Sequence, residues 1–528
     1  MSLQVPSLSG CQCKATKVLR PDRCIMPDGK PCSACTEDIQ LERQLQDLEK
    51  LAQEIHAKRR ALRTTMNQNH DRSLIPKFPP EIASRVFFHY SLASLRLDTY
   101  AKINTLFLGA VCHKWRELAW ATPELWTSIN VGQKLIHQWS LSAGLLFSEW
   151  LERSGTLPLS IRFLDPINND SANDVYRVVM DLLNKHSARW YDVYLDIPAR
   201  HLHRFSRLSQ ENCVLVRLVL SLGACSNDIS PPEAALSTFS MNCSPRELKL
   251  VSLSLKYVDI RWNNLTIVYL ASLRANEFFE VLRRSPHLTT ITLLKIEPPS
   301  STFTIPTSRI PYPRVRSFEL LNVGDATVLT QLLKSVSFPS LDKWTLSACA
   351  FPLESMISFI ETSSFSLKTF QMVGNRHVSN QIHNLLRHLP TLEILSLRFR
   401  FHYIRVHNPP SDDDPEKESF FKLLCSPDDT AFLPRLQTLK FGYDLAVPLD
   451  AIPQLFTAGH RRSLEVEVDH EGSLTTIADS LAERFLGLVD EGFNVRVLRC
   501  GKVDMLEEYK VKRRSRVEES SGSAGVLT

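Results

Sequence analysis

Glycine is scarce in this chain, at 17 of 528 residues, and the glycine-rich signatures of enzymes are absent. No phosphate-binding loop, no G-x-S-x-G turn and no H-E-x-x-H pair occurs in the sequence. Those patterns carry nucleotide binding, acyl transfer and zinc-dependent hydrolysis, respectively. The sixteen histidines show no spacing that is typical of metal ligands. The sequence therefore predicts a protein that is not an enzyme and that needs no cofactor.

The chain also lacks long apolar runs and a strong charge of either sign. No run is long enough to cross a bilayer, so no membrane-spanning helix is predicted. The N-terminal segment has no continuous apolar core and does not resemble a signal peptide. The formal net charge of +5 is too small for this length to indicate a nucleic-acid partner. We expect an intracellular protein, located in the cytoplasm, the nucleus or both.

Cysteine is unevenly distributed, because five of the twelve cysteines lie near the N-terminus. These five are Cys11, Cys13, Cys24, Cys32 and Cys35. Thiolates two or three residues apart can bind one zinc ion, but the spacing here fits no standard zinc finger. We expect residues 1–36 to form a disordered head that bears these cysteines. A zinc site and a redox-active pair are the alternatives.

From Glu37 to residue 70 the chain contains neither proline nor glycine. Apolar residues there follow alternating steps of four and three, interrupted once by Arg59. This seam consists of Leu41, Leu45, Leu48, Ala52, Ile55, Leu62 and Met66. Such a heptad pattern is typical of a coiled coil, and a lone helix of this length is marginally stable. We predict a heptad helix over residues 37–70, which either forms a homodimer through residues 41–66 or packs within its own chain.

The next segment carries two apolar stripes at helical spacing. Pro79 and Pro80 can open a helix, because the N–H groups of a first turn have no partner within the helix. The first stripe consists of Ile82, Val86 and Phe87, and the second of Val111, Trp115, Leu118 and Ala119. Each stripe would lie on one helix face. We predict a small helical domain over residues 73–130, which buries little core alone and should therefore dock on a partner.

A pattern of the form P-x-Φ-x-x-Φ-x-Φ, in which Φ is apolar, recurs in the C-terminal half. Copies begin at residues 286, 313, 339, 365, 390 and 434, so that successive starts lie 27, 26, 26, 25 and 44 residues apart. Weaker copies without the proline begin at Trp190, Leu215 and Leu265. The closing Φ-x-Φ has the alternation of a short strand, and helical stretches lie between the copies. A strand and a helix at this period are typical of leucine-rich repeats.

The repeats predict an α/β fold in which parallel strands stack into a solenoid over residues 131–505. No single repeat can bury its own apolar face, so each one must cover its neighbour. The longest step contains prolines and a run of aspartates, and we expect an acidic surface loop over residues 402–429. Residues 506–528 are rich in charge and in small residues, and we expect a disordered tail there.

The order of residues in the helical segment resembles the F-box, a motif that binds the Skp-type adaptor of cullin–RING ubiquitin ligases. The matching positions are Pro79, Glu81, Ile82, Val86, Phe87, Leu106, Val111, Cys112, Trp115, Arg116 and Ala119. The closing stretch 121–126, ATPELW, is similar to a variant common in large fungal F-box families. A cysteine-bearing head followed by a heptad helix also resembles those proteins. The sequence departs from the family at Phe78, where leucine is more frequent.

The resemblance implies the substrate-recognition subunit of an SCF-type cullin–RING E3 ubiquitin ligase, with a leucine-rich-repeat-like array that holds the target protein. It implies adaptor contacts at Pro79, Ile82, Val86, Phe87, Leu106, Val111, Cys112, Trp115 and Leu118. Two other classes of function stay open. One is a non-catalytic interaction scaffold that recruits no ligase. The other is a zinc-dependent protein that contacts nucleic acid, against which the modest net charge argues.

Overall fold

The structure is a computed structural model of the whole chain, and it divides into two compact units, Met1–Leu125 and Trp126–Thr528. The residues that it describes are 32–69, 77–96, 105–132, 141–164, 173–205, 214–222, 238–299, 308–348, 351–374, 381–399, 423–424, 432–443, 452–457, 464–470, 477–499 and 503–523. The division falls after residue 125, whereas the sequence predicts that the helical domain ends at residue 130. The fold is mixed α/β, as predicted.

The described part of the first unit is helical. Its helices are α1 (Ser33–Asn69), α2 (Pro80–Arg96), α3 (Thr105–Val111) and α4 (His113–Trp120). Helix α1 covers the predicted heptad helix and begins four residues before it, so the end of the predicted disordered head is helical. Helix α2 begins at Pro80, where a missing N–H costs nothing. Glu81 in that first turn also interacts favourably with the helix dipole.

The N-terminal cysteines fall only partly within the described residues. Cys32 lies directly before α1 and Cys35 lies in its first turn, whereas Cys11, Cys13 and Cys24 lie outside the described residues. Among the residues that the structure describes, no three His, Cys, Asp or Glu side chains are grouped to hold a metal ion. Zinc binding by the N-terminal cysteines therefore stays an open alternative.

The second unit consists of strands with intervening helices. Its helices are α5 (Leu141–Arg153), α6 (Asn173–Lys185), α7 (Ala275–Arg284), α8 (Ala326–Ser335), α9 (Leu353–Ser363), α10 (Ile382–Leu386), α11 (Gln454–Thr457), α12 (Asp479–Asp490) and α13 (Met505–Ser523). Its strands are β1 (Ser128–Gly132), β2 (Leu159–Leu164), β3 (Trp190–Asp196), β4 (Arg217–Ser221), β5 (Phe239–Ser240), β6 (Glu247–Val251), β7 (Val258–Asp259), β8 (Ile267–Ala271), β9 (Thr290–Leu294), β10 (Ile310–Pro311), β11 (Ser317–Val323), β12 (Val336–Ser337), β13 (Lys343–Ala348), β14 (Thr369–Gly374), β15 (Ile394–Phe399), β16 (Thr438–Tyr443), β17 (Glu465–His470), β18 (Val495–Arg499) and β19 (Val503–Asp504).

Fifteen of these strands form one sheet, and their order in the sheet follows their order in the chain. The order is β1-β2-β3-β4-β6-β8-β9-β11-β13-β14-β15-β16-β17-β18-β19. Every neighbouring pair is parallel except β18 and β19, which are antiparallel. The parallel strands predicted from the six copies, five of which begin with proline and one with Phe365, are confirmed, since each closing Φ-x-Φ lies within β9, β11, β13, β14, β15 or β16.

The sheet buries one face along its whole length. The register aligns Phe318 with Trp344 and Trp344 with Phe370, so the same apolar position of successive strands forms a continuous row. All three side chains are buried. Phe359 of α9 lies edge-on to Trp344, with ring centroids 5.5 Å apart, and covers the row from the helical side. The buried residues of the unit form one continuous core from Ile129 to Leu506.

The backbone repeats at the ends of four successive strands of the sheet. Ser252, Ser272, Lys295 and Asn322 each have a φ angle between 51° and 56°, in the left-handed region. Each lies two residues after the last buried leucine of its strand, at Leu250, Leu270, Leu293 or Leu320. The left-handed conformation costs roughly 1 kcal/mol at a residue other than glycine. The same left-handed turn therefore recurs four times despite that cost, each time at the same position relative to the buried residues of its strand.

The C-terminal segment differs from the prediction of a disordered tail. Helix α13 extends to Ser523, and only residues 524–528 lie outside the described residues. Met505 and Leu506 are buried in the core of the second unit, and Arg513 forms an ion pair with Glu483 of α12 at 3.1 Å. Good helix formers follow this anchor without a proline, so the helix continues from it.

The predicted acidic loop at residues 402–429 lies outside the described residues apart from 423–424. No helix in the described part of the chain is both long enough and apolar enough to cross a membrane.

Candidate partner-docking surface

Helices α2, α3 and α4 form a small core of their own. Phe87 of α2 packs on Trp115 of α4, with ring centroids 4.8 Å apart and planes tilted by 49°. Phe87 is only 1% exposed, and Ala83, one turn before it, is equally buried. Ala119 of α4 is buried as well, one turn after Trp115. The inner face of α2 is therefore the Ala83–Phe87 face.

Side-chain hydrogen bonds hold the ends of these helices in place. The guanidinium Nε of Arg116 donates to the carbonyl oxygen of Gly109 at 2.8 Å, which satisfies a carbonyl near the C-terminal end of α3. The hydroxyl of Thr122 donates to the carbonyl oxygen of Leu118 at 2.7 Å and lies 3.0 Å from the hydroxyl of Ser84 on α2. These contacts make α2, α3 and α4 one structural element, although each helix is short.

A second apolar stripe on α2 faces solvent. Ile82, Val86 and Tyr90 follow each other at steps of four residues, so they lie above one another on one side of the helix. Phe78 continues the same spacing and lies two residues before the first helical residue, Pro80. Each of these side chains is between 42% and 50% exposed. Exposed apolar groups in a row are unusual on a monomer, because each forgoes the free energy that burial would supply.

Helix α3 presents further exposed apolar side chains. Phe107 is 64% exposed and Val111, one turn later, is 50% exposed. We call six exposed side chains the docking surface: Phe78 just before α2, Ile82, Val86 and Tyr90 of α2, and Phe107 and Val111 of α3. Charged side chains on the same helices, such as Glu81, Arg85 and His89, are also exposed. An apolar centre beside polar groups is the composition of a protein interface.

The structure separates the predicted adaptor-binding residues into three groups by exposure. Pro79, Ile82, Val86 and Val111 are exposed; Leu106, Cys112, Trp115 and Leu118 are half-buried; and Phe87 is buried. Sequence reasoning places Ile82, Val86 and Phe87 on one face, and this is wrong for Phe87. Phe87 points into the core with Trp115 and supports the docking surface from beneath.

Tyr90 and Phe107 belong to the docking surface but not to the predicted adaptor contacts. For Tyr90 the sequence does contain a signal, because residues 78, 82, 86 and 90 are all aromatic or branched apolar residues at steps of four. For Phe107 the sequence contains no such signal, because no spacing of apolar residues indicates that its side chain is exposed. Residues 101–104, which precede its helix, lie outside the described residues.

The second unit offers a different candidate surface on the polar face of its sheet. Side chains that alternate with the buried rows point to this face, and most of them are partly exposed. In the register Arg162 lies beside Tyr194, and Lys249 lies beside Tyr269. The Lys249 ammonium lies 4.1 Å from the centre of the Tyr269 ring, a cation–π contact.

Further along this face, charged side chains of neighbouring strands form two ion pairs. Lys343 contacts Glu319 at 2.6 Å, and Lys440 contacts Glu467 at 3.1 Å, each pair on neighbouring strands. Burial raises the pKa of the Tyr269 hydroxyl above its ordinary value. Like any tyrosine it is protonated at neutral pH and can donate a hydrogen bond. The face can therefore bind polar and aromatic groups, and it combines cations with aromatic rings at its N-terminal end.

A groove beside α7 contains the most strongly perturbed carboxylate among the described residues. It is lined by Glu280 and Arg283 of α7 and by Tyr312, among others. Arg283 donates two hydrogen bonds to the Glu280 carboxylate, at 2.6 and 2.8 Å, and Arg284 donates another. These bonds lower the pKa of Glu280 to about 2, against an opposing effect of partial burial. The carboxylate is therefore tied to its own helix.

We expect the stabilising effect of Glu280 to depend on pH. Because its pKa is lower in the folded chain than in the unfolded chain, its contribution is present above about pH 5 and is lost as the pH falls toward 2. The melting temperature of Glu280→Gln should thus lie below that of the wild type at pH 7, and the difference should shrink by pH 3. High salt should shrink it at pH 7, since Arg283 is exposed. An unchanged difference at pH 3 contradicts this explanation.

No protein-family model matches this chain, and no curated protein matches it.

Proposed function

We propose that this protein is the substrate-recognition subunit of an SCF-type cullin–RING ubiquitin ligase. On this proposal the docking surface binds a Skp-type adaptor, and the second unit binds the protein to be ubiquitinated. The chain itself does no bond chemistry. Its role is to raise the effective concentration of target lysines near the ubiquitin-loaded enzyme.

The observation that carries the proposal is the exposed apolar stripe of α2. A free-standing helical unit would gain stability by turning Ile82 and Val86 inward, yet both are exposed while the smaller Ala83 lies inside. Burying an apolar side chain of this size in an interface is worth about 1.5–3 kcal/mol. The stripe contains Ile82 and Val86, which are also positions at which the sequence resembles the F-box.

We propose further that the second unit is a leucine-rich-repeat-like solenoid. Two features support this: strands that pair in chain order, and a left-handed turn that recurs after β6, β8 and β9 and within β11. Repeat architectures present one long surface, and the polar face of the sheet is the part of this unit best suited to bind a target protein. Its combination of Arg162, Lys249 and two tyrosines favours a target with exposed acidic or aromatic groups.

Binding to a purified Skp-type adaptor, measured by titration calorimetry with the full chain, tests the proposal. We expect the double variant Ile82→Asp, Val86→Asp to bind at least about tenfold more weakly, because two apolar contacts are lost and two charges are desolvated. The matched control is Leu145→Asp, Leu146→Asp on α5, which alters two exposed leucines of the second unit. This control should bind like the wild type.

The possible outcomes separate the candidate functions. If the wild-type chain does not bind the adaptor, the ligase proposal is wrong. If both double variants bind equally well, the adaptor binds elsewhere and the assignment of the docking surface is wrong. If the adaptor binds but the resulting complex does not take up a cullin–RING module, the protein is an adaptor-binding scaffold and not a ligase subunit.

A further inference from the structure

Helix α1 exposes the whole of its apolar seam. All described side chains from Gln40 to Met66 are exposed, including every residue of the heptad pattern. The leucine, isoleucine and methionine side chains of the seam are between 49% and 63% exposed, and these are Leu41, Leu45, Leu48, Ile55, Leu62 and Met66. Exposure of an apolar seam of this length to water is unfavourable, so this face of α1 is expected to pack against another apolar surface.

The charges of α1 are divided between its two halves. Residues 33–55 carry six acidic and two basic side chains, a net charge of −4. Residues 56–69 carry four basic side chains and no acidic one, a net charge of +4. A binding partner that complements this pattern must place positive charge beside the first half of α1 and negative charge beside the second half. The same helix running in the opposite direction meets both requirements.

A parallel pair of α1 helices meets neither requirement. In register, it places Arg59 of one copy against Arg59 of the other within the apolar seam. At the flanking positions it places Lys58 against Arg63 and Glu37 against Glu42, and both contacts join like charges. Like charges at these positions oppose association.

We propose that α1 binds a second copy of this chain as an antiparallel coiled coil. The best register places Leu41 opposite Met66, Leu45 opposite Leu62 and Ala52 opposite Ile55 of the second copy. Only Arg59 interrupts the seam, and it lies opposite Leu48 beside the acidic half of the second copy. A single polar residue within a seam is the usual device that selects one register.

The flanking charges agree with this register. Glu42 faces Arg63 of the second copy, and Glu49 faces the imidazole of His56 of the second copy, whose N–H can donate a hydrogen bond to the carboxylate. Each pair occurs twice, because the arrangement is two-fold symmetric. The two chains then leave the helix pair at opposite ends, about 45 Å apart along its axis. This inference concerns α1 alone and does not rest on the proposed ligase function.

The mass of the full chain in solution tests association. Light scattering after size exclusion should give twice the chain mass of 60.1 kDa. The variant Leu48→Asp, Ile55→Asp should shift the mass to that of one chain and raise the dissociation constant at least about tenfold. The matched control is Gln46→Asp, Gln53→Asp, which adds the same groups outside the seam and should leave the dimer intact. A monomeric wild type, or equal loss of the dimer in both variants, overturns the proposal.

A charge reversal tests the direction of the helices. In the antiparallel pair Arg63→Glu places two carboxylates together and should raise the dissociation constant, and adding Glu42→Arg should restore it. In a parallel pair the same Arg63→Glu would face Lys58 and tighten the dimer instead. Tighter association of Arg63→Glu, or no restoration by the second change, therefore overturns the antiparallel arrangement. Adaptor binding by the monomeric Leu48→Asp, Ile55→Asp variant keeps this test separate from that of the ligase function.

Discussion

Replacing Trp344 with alanine is expected to lower the free energy of unfolding of the second unit by about 3–5 kcal/mol. Trp344 is fully buried in β13. Its ring packs against Phe359 of α9 and Phe370 of β14, with ring centroids 5.5 Å and 5.4 Å apart, respectively. The substitution leaves a cavity between the sheet and a helix, where close packing prevents collapse. Urea unfolding of the full chain, followed by its circular dichroism, measures the loss.

Two further substitutions in β13 make this result specific. Trp344→Phe should cost far less than Trp344→Ala, because it keeps an aromatic ring and removes a buried indole N–H that has no hydrogen-bond partner among the described residues. Thr345→Ala changes the next residue, on the polar face, and should alter stability by no more than about 0.5 kcal/mol. Equal losses for Trp344→Ala and Trp344→Phe would show that ring packing is not the cause.

Replacing Phe87 with alanine should open the small helical unit that carries the docking surface. The expected loss is about 3–5 kcal/mol, because the buried ring is the main contact of α2 with Trp115. Hydrogen exchange of the backbone amides in α2 and α4 measures this local opening. Their protection should fall by roughly two to three and a half powers of ten, since about 1.4 kcal/mol corresponds to a factor of ten.

The exposed neighbour Val86 provides the control. Val86→Ala should leave the exchange of the same amides unchanged within about 0.5 kcal/mol, because the side chain is 42% exposed. It should still weaken adaptor binding if the proposed function is correct. If Phe87→Ala leaves amide protection unchanged, the Phe87–Trp115 contact does not hold the unit together.

The strands of the repeat region were largely predictable from the sequence. Their signal is local, because alternating apolar residues behind a proline specify which side chains of a strand point inward. Strands β1, β2, β6, β17 and β18 belong neither to the six copies nor to the three weaker ones, and were not predicted. In β1, whose sequence is Ser-Ile-Asn-Val-Gly, the alternation is present but too short to be distinguished from loop sequence.

The C-terminal helix shows where a sequence-based expectation failed. The charged composition after Glu507 is shared by disordered tails and by exposed helices. The decision depends on Met505 and Leu506, which are buried in the core and fix the first turn. Tyr509 then donates a hydrogen bond to Glu483 at 3.1 Å. Composition cannot show these contacts, because they join residues that are far apart in the chain.

The sequence by itself determined the period of the repeats, the heptad seam of α1 and its division into an acidic and a basic half. Each of these is a property of spacing along the chain. Only the tertiary structure decided which apolar residues of α2 are buried. Positions 82 and 83 differ by about 100° around the helix, and both neighbouring faces of α2 are apolar. The position of Trp115 made Ala83 and Phe87 the core and left Ile82 and Val86 exposed.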